Sequence, residues 1–293
     1  MESGIREVED NVEATEAWNG PLYEVWVKYR DLVADGLRNH GENAIRLMPP
    51  REGDRVLDIG CGLGDTTTRL AEMVGAEGSA HGVDVAERMI ATAIEEAGQR
   101  GARNLTFAVQ DVETEPFDRE FDYAFSRMGT MFFANPVVAL RNVRQAFAPG
   151  GVLNMVVWRR KLDNDMMHRA EEVVAEYLDE PEESEAPRCG PGPFSMANAD
   201  TVTDVLMHAG FEEIRLSRQD LPYRIGNDLD QAVAFNMDLG PAAEVLRMWG
   251  ERIDEIRPKI TSDLQAALSE FVQDDGTVVA PASTWAISAR APG

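Results

Sequence analysis

The sequence predicts an α/β fold: a doubly wound, mainly parallel sheet of seven strands with helices on both faces, plus helical insertions near the N-terminus and in the C-terminal half. Three observations predict it. Short apolar runs alternate with amphipathic helical stretches from 51 to 160, the spacing of β-α-β units. The first strand candidate runs into a glycine-rich turn, VLDIGCGLGDT at 56–66, that opens a helix. Two more strand candidates arrive late, separated by a long helical stretch.

Residues 1–50 read as helical. Trp18, Leu22, Val25, Trp26 and Tyr29 recur at three- and four-residue spacing and share one helix face. Packing on the domain behind is the ordinary use of such a stripe, and a lid over a ligand is compatible with it. After Pro49-Pro50, strands are expected at 55–59, 79–84, 105–109, 121–126 and 151–158, with helices at 65–74, 86–100 and 136–148. Gly150-Gly151, following Pro149, reads as a turn into the fifth strand. A helix is expected at 163–178. PEESEAPRCGPGPF at 181–194 is too rich in Pro, Gly and acid for regular structure. A helix at 199–208 stops at Gly210. Residues 211–219 form a sixth strand, 227–272 are helical, and TWAISAR at 284–290 is a seventh strand. If both late strands join the sheet, 227–272 is an insertion between paired strands and a second candidate lid. One domain spans 1–293: a helical lid (1–50), the main core (51–160), a loop, helix and strand (161–226), a helical insertion (227–275) and the last strand (276–293).

With 44% hydrophobic residues and five Trp, the 293-residue chain can bury a substantial core. A formal net charge of −24 argues against nucleic acid, whose phosphates reward Lys and Arg, and against an anionic membrane surface. The first residues, MESGIREVED, lack an apolar signal segment, and no apolar run approaches the roughly 20 residues that span a bilayer. Cys61 and Cys189 make neither a disulfide framework nor a metal cluster. The expectation is a soluble, cytoplasmic monomer or homodimer without metal, nucleic acid or membrane partner.

Glycines at 60, 62 and 64 let the backbone adopt torsions closed to other residues and let a ligand touch it. A dinucleotide fingerprint would place its third glycine at 65, which is Asp65. Asp58 adds a second negative charge, no Lys or Arg stands in the turn, and no P-loop Gly-Lys-Ser/Thr follows. A phosphate would meet like charge there, so a guest with a positive group fits better. Asp84, 20 residues after Gly64, can accept both hydroxyls of a ribose, or it caps the following helix. Asp111, at the end of the third strand, either accepts from an exocyclic amine of adenine or forms a turn. Together these features describe a nucleoside with a cationic, phosphate-free tail, as in S-adenosylmethionine.

VLDIGCGLG, GVDVAERM, VQDVETEPF, FDYAFSRMGTMFF and LRNVRQAFAPGGVLNMVVW resemble the successive motifs of class I, Rossmann-like methyltransferases of the ubiquinone/menaquinone-biosynthesis-like group. The resemblance is dense over about 50–160 and is specific for cofactor and fold, not for substrate. It implies that Asp58, Gly60, Cys61, Gly62 and Gly64 surround the methionine part of S-adenosylmethionine and that Asp84 holds the ribose. It implies that Val85 and Met89 pack on adenine, with Asp111 and the Val112 amide at its edge. Ser126, Arg127 and Met128 would then line the floor near the transferred methyl. Leu63 departs from the Thr or Ser commoner at its position. Cys61 reads as a small packing residue.

Methyl transfer from a sulfonium is an in-line displacement, so the protein mainly aligns donor and acceptor, and a base is needed only for a weakly acidic acceptor. His168, after the fifth strand, is the histidine best placed for that role, although a surface histidine is the commoner outcome. His81 reads as core or edge; His40 and His208 read as helix-end residues. Tyr23, Trp26, Met128 and Met131, with Phe132 and Phe133, could line an apolar pocket for a small apolar or aromatic acceptor, accepting on oxygen, nitrogen or carbon. Two alternatives stand beside the methyltransferase: a protein that binds S-adenosylmethionine or S-adenosylhomocysteine without turnover, and, less favoured, an NAD-dependent oxidoreductase.

Overall fold

The computed structural model describes residues 15–177 and 192–293. Cys189 and most of the expected irregular segment 181–194 lie outside the described residues. Seven strands, β1 (Arg55–Ile59), β2 (Ser79–Asp84), β3 (Leu105–Val109), β4 (Phe121–Arg127), β5 (Phe147–Trp158), β6 (Glu212–Gly226) and β7 (Val278–Arg290), form one sheet in the order β3-β2-β1-β4-β5-β7-β6. β1 to β5 pair in parallel, and β7 lies antiparallel between β5 and β6. The strand order reverses between β1 and β4, which opens a crevice beyond their C-terminal ends.

The helices are α1 (Pro21–Lys28), α2 (Arg30–Leu47), α3 (Asp65–Val74), α4 (Glu87–Arg100), α5 (Pro136–Gln145), α6 (Asp165–Ala175), α7 (Ala199–Ala209), α8 (Leu229–Asp238), α9 (Pro241–Trp249) and α10 (Arg257–Leu268), with residues 15–19 also helical. Local chemistry sets several boundaries. Asn135 accepts from the Val138 amide while Pro136 occupies the first turn of α5. Asn198 accepts from the Asp200 and Thr201 amides at the start of α7, and Gly210 closes that helix at φ 92°.

Apolar burial holds the layers together. Tyr123, Phe121, Phe125, Leu57 and Leu153 are fully buried in the sheet core, each contributing about 1.5–3 kcal/mol. One polar cluster fixes α2 against the sheet. Tyr123 Oη donates to the Met48 carbonyl at 2.8 Å, and Asn154 Nδ2 donates to Tyr123 Oη at 2.8 Å and to the Ala44 carbonyl at 2.9 Å. The N-terminal helices therefore pack on the sheet, and their aromatic stripe faces the crevice.

Three boundaries differ from expectation. Pro149-Gly150-Gly151 is an irregularity within β5 rather than a turn before it, because the pairing moves from Phe121 opposite Phe147 to Tyr123 opposite Val152. β6 and β7 extend far past 219 and before 284, because long antiparallel pairing from Glu212–Arg290 to Gly226–Val278 satisfies their backbones where side-chain alternation is weak. The 227–272 stretch breaks into α8, α9 and α10 and is inserted between these two paired strands. No helix among the described residues is long and apolar enough to cross a membrane.

Candidate active site

The glycine turn after β1 is held by β2. The Gly60 and Cys61 amides donate to the Val83 carbonyl at 2.9 and 3.1 Å. Gly60 has φ 66°, and a Cβ there would stand 2.8 Å from the Cα of Gly129, in the loop after β4. The two loops can meet only because both residues lack side chains. Gly62, at φ 53°, turns its amide onto Asp84 Oδ2 at 2.9 Å, while the Ala86 amide donates to Asp84 Oδ1 at 2.9 Å. A carboxylate oxygen has two acceptor sites, so each retains capacity for a further donor. Burial raises the Asp84 pKa, against the pull of these backbone amides. Asp84 faces a small cavity of about 120 Å³ together with Val85, Met89, Asp111, Val112 and Phe133. Asp111 itself accepts from the Glu113 amide and from Thr114 Oγ1, both at 2.9 Å, so it also forms the turn.

On the other side of the turn lies a polar pocket with Asp58, Gly60, Gly62, Thr66 and Arg127 on its walls. Asp58 is buried at the end of β1, and Thr67 Oγ1 donates to its Oδ2 at 2.6 Å. Burial pushes its pKa up to about 7, opposed by Thr67 and by the charge of Arg127. Asp65 accepts from Arg30 of α2 at 3.0 Å, and Arg30 also pairs with Glu96.

A third and larger cavity, about 770 Å³, adjoins the first through Trp18, Trp26, Met128 and Phe132, which line both. Its remaining wall is apolar and methionine-rich: Met131, Met166 and Met167, with Trp158, Tyr223 and Phe235. Trp18 stands edge-to-face on Trp26 and on Phe132, with ring centroids 5.6 and 5.3 Å apart. The Tyr223 hydroxyl has no hydrogen-bond partner among the described residues, and burial drives its pKa up, so it remains protonated. The charged groups at this cavity are paired: Lys161 with Glu171, Glu244 with Arg247, Asp238 with Lys28 and Tyr29, and Arg257 with Asp254.

A family model described as a methyltransferase domain matches residues 50–204, just over half of the chain. The chain belongs to the methyltransferase domain family. Among curated relatives, aklanonic acid methyltransferase DauC from Streptomyces sp. (strain C5) is 39% identical over 112 residues, covering 38% of this chain and 51% of its own. Nocamycin O-methyltransferase from Saccharothrix syringae is 32% identical over 188 residues, 61% of this chain and 66% of its own. The ubiquinone/menaquinone C-methyltransferase UbiE from Teredinibacter turnerae is 30% identical over 157 residues, 52% and 63%. The chain spans about half the length of several of the curated relatives it matches. The solved structure of the YcgJ protein from Bacillus subtilis shares the fold, with a TM-score of 0.55 and 18% identity over 86% of this chain and 99% of that one. These matches place the chain among class I S-adenosylmethionine-dependent methyltransferases of the UbiE-like group.

The crevice gathers most of the expected residues: Asp58, Gly60, Cys61, Gly62, Asp84, Val85, Met89, Asp111, Val112 and Arg127 line the two smaller pockets, and Trp26, Met128 and Met131 line the larger cavity. Four expected residues stand elsewhere. Gly64 lines neither cofactor pocket; at φ 81° it starts α3 against the Phe107 ring. Ser126 is fully buried and donates to the Ile59 carbonyl at 2.9 Å, tying β4 to β1. Tyr23 turns outward, under the Arg88 guanidinium at 3.8 Å and beside Thr92. His168 on α6 lines no part of the cavity and sits 3.4 Å from Glu172 and 4.0 Å from Glu171. Helical periodicity explains this last placement: Met166 and Met167 take the inward face of α6, and residue 168 follows on its flank.

The other histidines have structural surroundings. His40 lies inside α2 rather than at its end, buried against Trp158, with Nδ1 2.8 Å from Thr284 Oγ1. His81 stacks on Phe121 and bonds Thr106. His208 is at the end of α7, as expected. The Cys61 thiol is buried at the turn, and burial raises its pKa well above the ordinary thiol value, which suits a packing residue.

One electrostatic expectation is corrected. The turn carries no cation in sequence, but in space it is met by Arg30, which pairs with Asp65, and by Arg127. Negative charge on the loop therefore cannot by itself exclude an anionic group. Sequence reasoning also missed Tyr223, Trp158, Met166, Met167 and Phe235 as wall residues. Their periodic positions resemble those of any core residue.

Proposed function

We propose that this methyltransferase moves a methyl group from S-adenosylmethionine to a small apolar or aromatic acceptor held in the 770 Å³ cavity. The observation that carries this reading is the shared wall: Met128 and Phe132 border both the nucleoside side and the acceptor cavity, so two guests meet there. On this reading Asp84 accepts from the ribose, Val85 and Met89 pack on adenine, and Asp111 with the Val112 amide holds its edge. Asp58 lies where an ammonium would restore its ionised form. The residues fit the cofactor because Asp84 keeps acceptor capacity at the edge of the nucleoside cavity. The cofactor supplies an electrophilic methyl, and the chain aligns the acceptor and excludes water.

The cavity volume lies in the range of drug-sized ligand sites, roughly 300–1,000 Å³. Aklanonic acid and nocamycin methyltransferases, by name, act on small molecules, which agrees with an acceptor of this kind. Among the described residues no histidine lines the cavity, Tyr223 is protonated, and the lining carboxylates Glu171, Glu244 and Asp238 are each engaged by a cation, Lys161, Arg247 and Lys28 in turn. The acceptor is therefore one whose nucleophile needs no base from the wall, such as a carboxylate or an acidic phenol. A panel of carboxylic acids, phenols and amines, assayed for S-adenosylhomocysteine and methylated product, tests this. Methylation of the acids or acidic phenols is expected. Turnover of neutral amines alone would overturn the choice of acceptor.

A further inference from the structure

The end of β4 splits the site in two. Met128 adopts φ 68°, the left-handed region that a side chain enters only at a cost. The kink sends Met128 into the acceptor cavity and leaves Arg127 on the opposite side, against α2. There the arginine passes Gly41, whose added Cβ would stand 3.2 Å from Arg127 Cδ. Its guanidinium reaches the polar pocket beside Asp58, Gly60, Gly62 and Thr66. It makes no hydrogen bond or ion pair with any described residue. Desolvation works against its charge, and the carboxylates of Asp58 and then Asp65 favour it. The other cation at this pocket, Arg30, is engaged by Asp65 and Glu96. This guanidinium is partly exposed, and its five donors are taken up by no described residue; its planar fork matches a carboxylate.

We propose that Arg127 is the seat of the methionyl carboxylate of the cofactor, rather than part of the floor beneath the transferred methyl. The assignment rests on S-adenosylmethionine being the cofactor. Asp58 and Arg127 then form a complementary pair, one for the ammonium and one for the carboxylate, at the same end of the pocket. The arrangement also accounts for a cation being held, at the expense of desolvation, in a chain of net charge −24.

Calorimetric titration of the purified full chain with two ligands separates this role from a structural one. S-adenosylhomocysteine carries the amino-acid tail; 5′-methylthioadenosine has the same nucleoside and thioether without it. Arg127→Met is expected to weaken S-adenosylhomocysteine roughly 10- to 100-fold, the range for a hydrogen-bonded charge, and to leave methylthioadenosine within about twofold. Arg127→Lys should fall between. Equal losses for both ligands, or no loss for either, would overturn the proposal. If Arg127→Met does not fold, the wild-type chain still decides: decarboxylated S-adenosylhomocysteine must bind at least tenfold more weakly than the parent, and equal affinity refutes the proposal. A wild-type chain that binds none of these ligands would instead refute the cofactor.

Discussion

The proposed cofactor half and the proposed acceptor half of this crevice are built differently. In the first, Asp58, Asp84, Asp111 and Arg127 each stand at or just past the end of a strand, β1, β2, β3 and β4 in turn. The parallel sheet aligns those ends, so a short motif around each strand suffices. The acceptor wall instead takes Trp26 from α1, Val33 from α2, Met166 from α6, Tyr223 from β6 and Phe235 from α8, elements spread over more than 200 positions. The first half is local chemistry displayed by a regular scaffold. The second exists only once distant elements have packed, which leaves it free to vary in shape without disturbing the first.

The strongest challenge to that division is Gly60→Val, which forces a β-branched residue into φ 66° and against Gly129. A loss of about 3 kcal/mol or more is expected in thermal or denaturant unfolding, together with loss of S-adenosylhomocysteine binding. A stable, binding-competent variant would show that the loop contact is dispensable. Next, Asp84→Ala should weaken S-adenosylhomocysteine roughly 10- to 100-fold by calorimetry while the acceptor wall stays intact by crystallography. Unchanged affinity would remove the ribose assignment.

Asp58 sharpens the comparison through pH. Burial raises its folded-state pKa from 3.8 to about 7, so the folded chain holds a proton that the unfolded chain releases. Its stabilising contribution is complete below pH 3.8 and is lost as pH rises through about 7. Asp58→Asn stays neutral throughout. The stability of wild type minus that of the variant should therefore fall by on the order of 2–4 kcal/mol over that interval, measured by urea unfolding. A difference that is flat with pH would mean the carboxylate is ionised in the folded state. The subtraction is needed because His40 and His81, lowered to about 4 by burial, act in the opposite sense.

Met131→Ala tests the acceptor half alone. Met131 is 1% exposed and lines only the larger cavity, whereas Trp26 borders all three pockets and would not separate them. A several-fold rise in acceptor KM, with S-adenosylhomocysteine affinity unchanged, is expected at a stability cost of about 2 kcal/mol or more. Coupled loss of both affinities would join the halves. The smallest effect belongs to His168→Ala, where turnover should stay within about twofold of wild type. A larger loss, with unchanged folding, would return that histidine to the chemistry.

Sequence by itself determined the sheet core from 55 to 158, the glycine turn and the acids at the strand ends. Each of these depends on side-chain alternation, on torsions only glycine adopts readily, or on residues within one strand-to-helix step. Tertiary structure alone decided which helix face turned inward, so that Met166 and Met167 reached the cavity while His168 and Tyr23 did not. It also decided where charge is compensated: Arg30 and Arg127 lie 35 and 62 positions from Asp65, and no local pattern reports a Coulomb contact across that separation. The long pairing of β6 with β7 followed the same rule, because backbone hydrogen bonds between strands depend on the partner and not on the sequence of either strand alone.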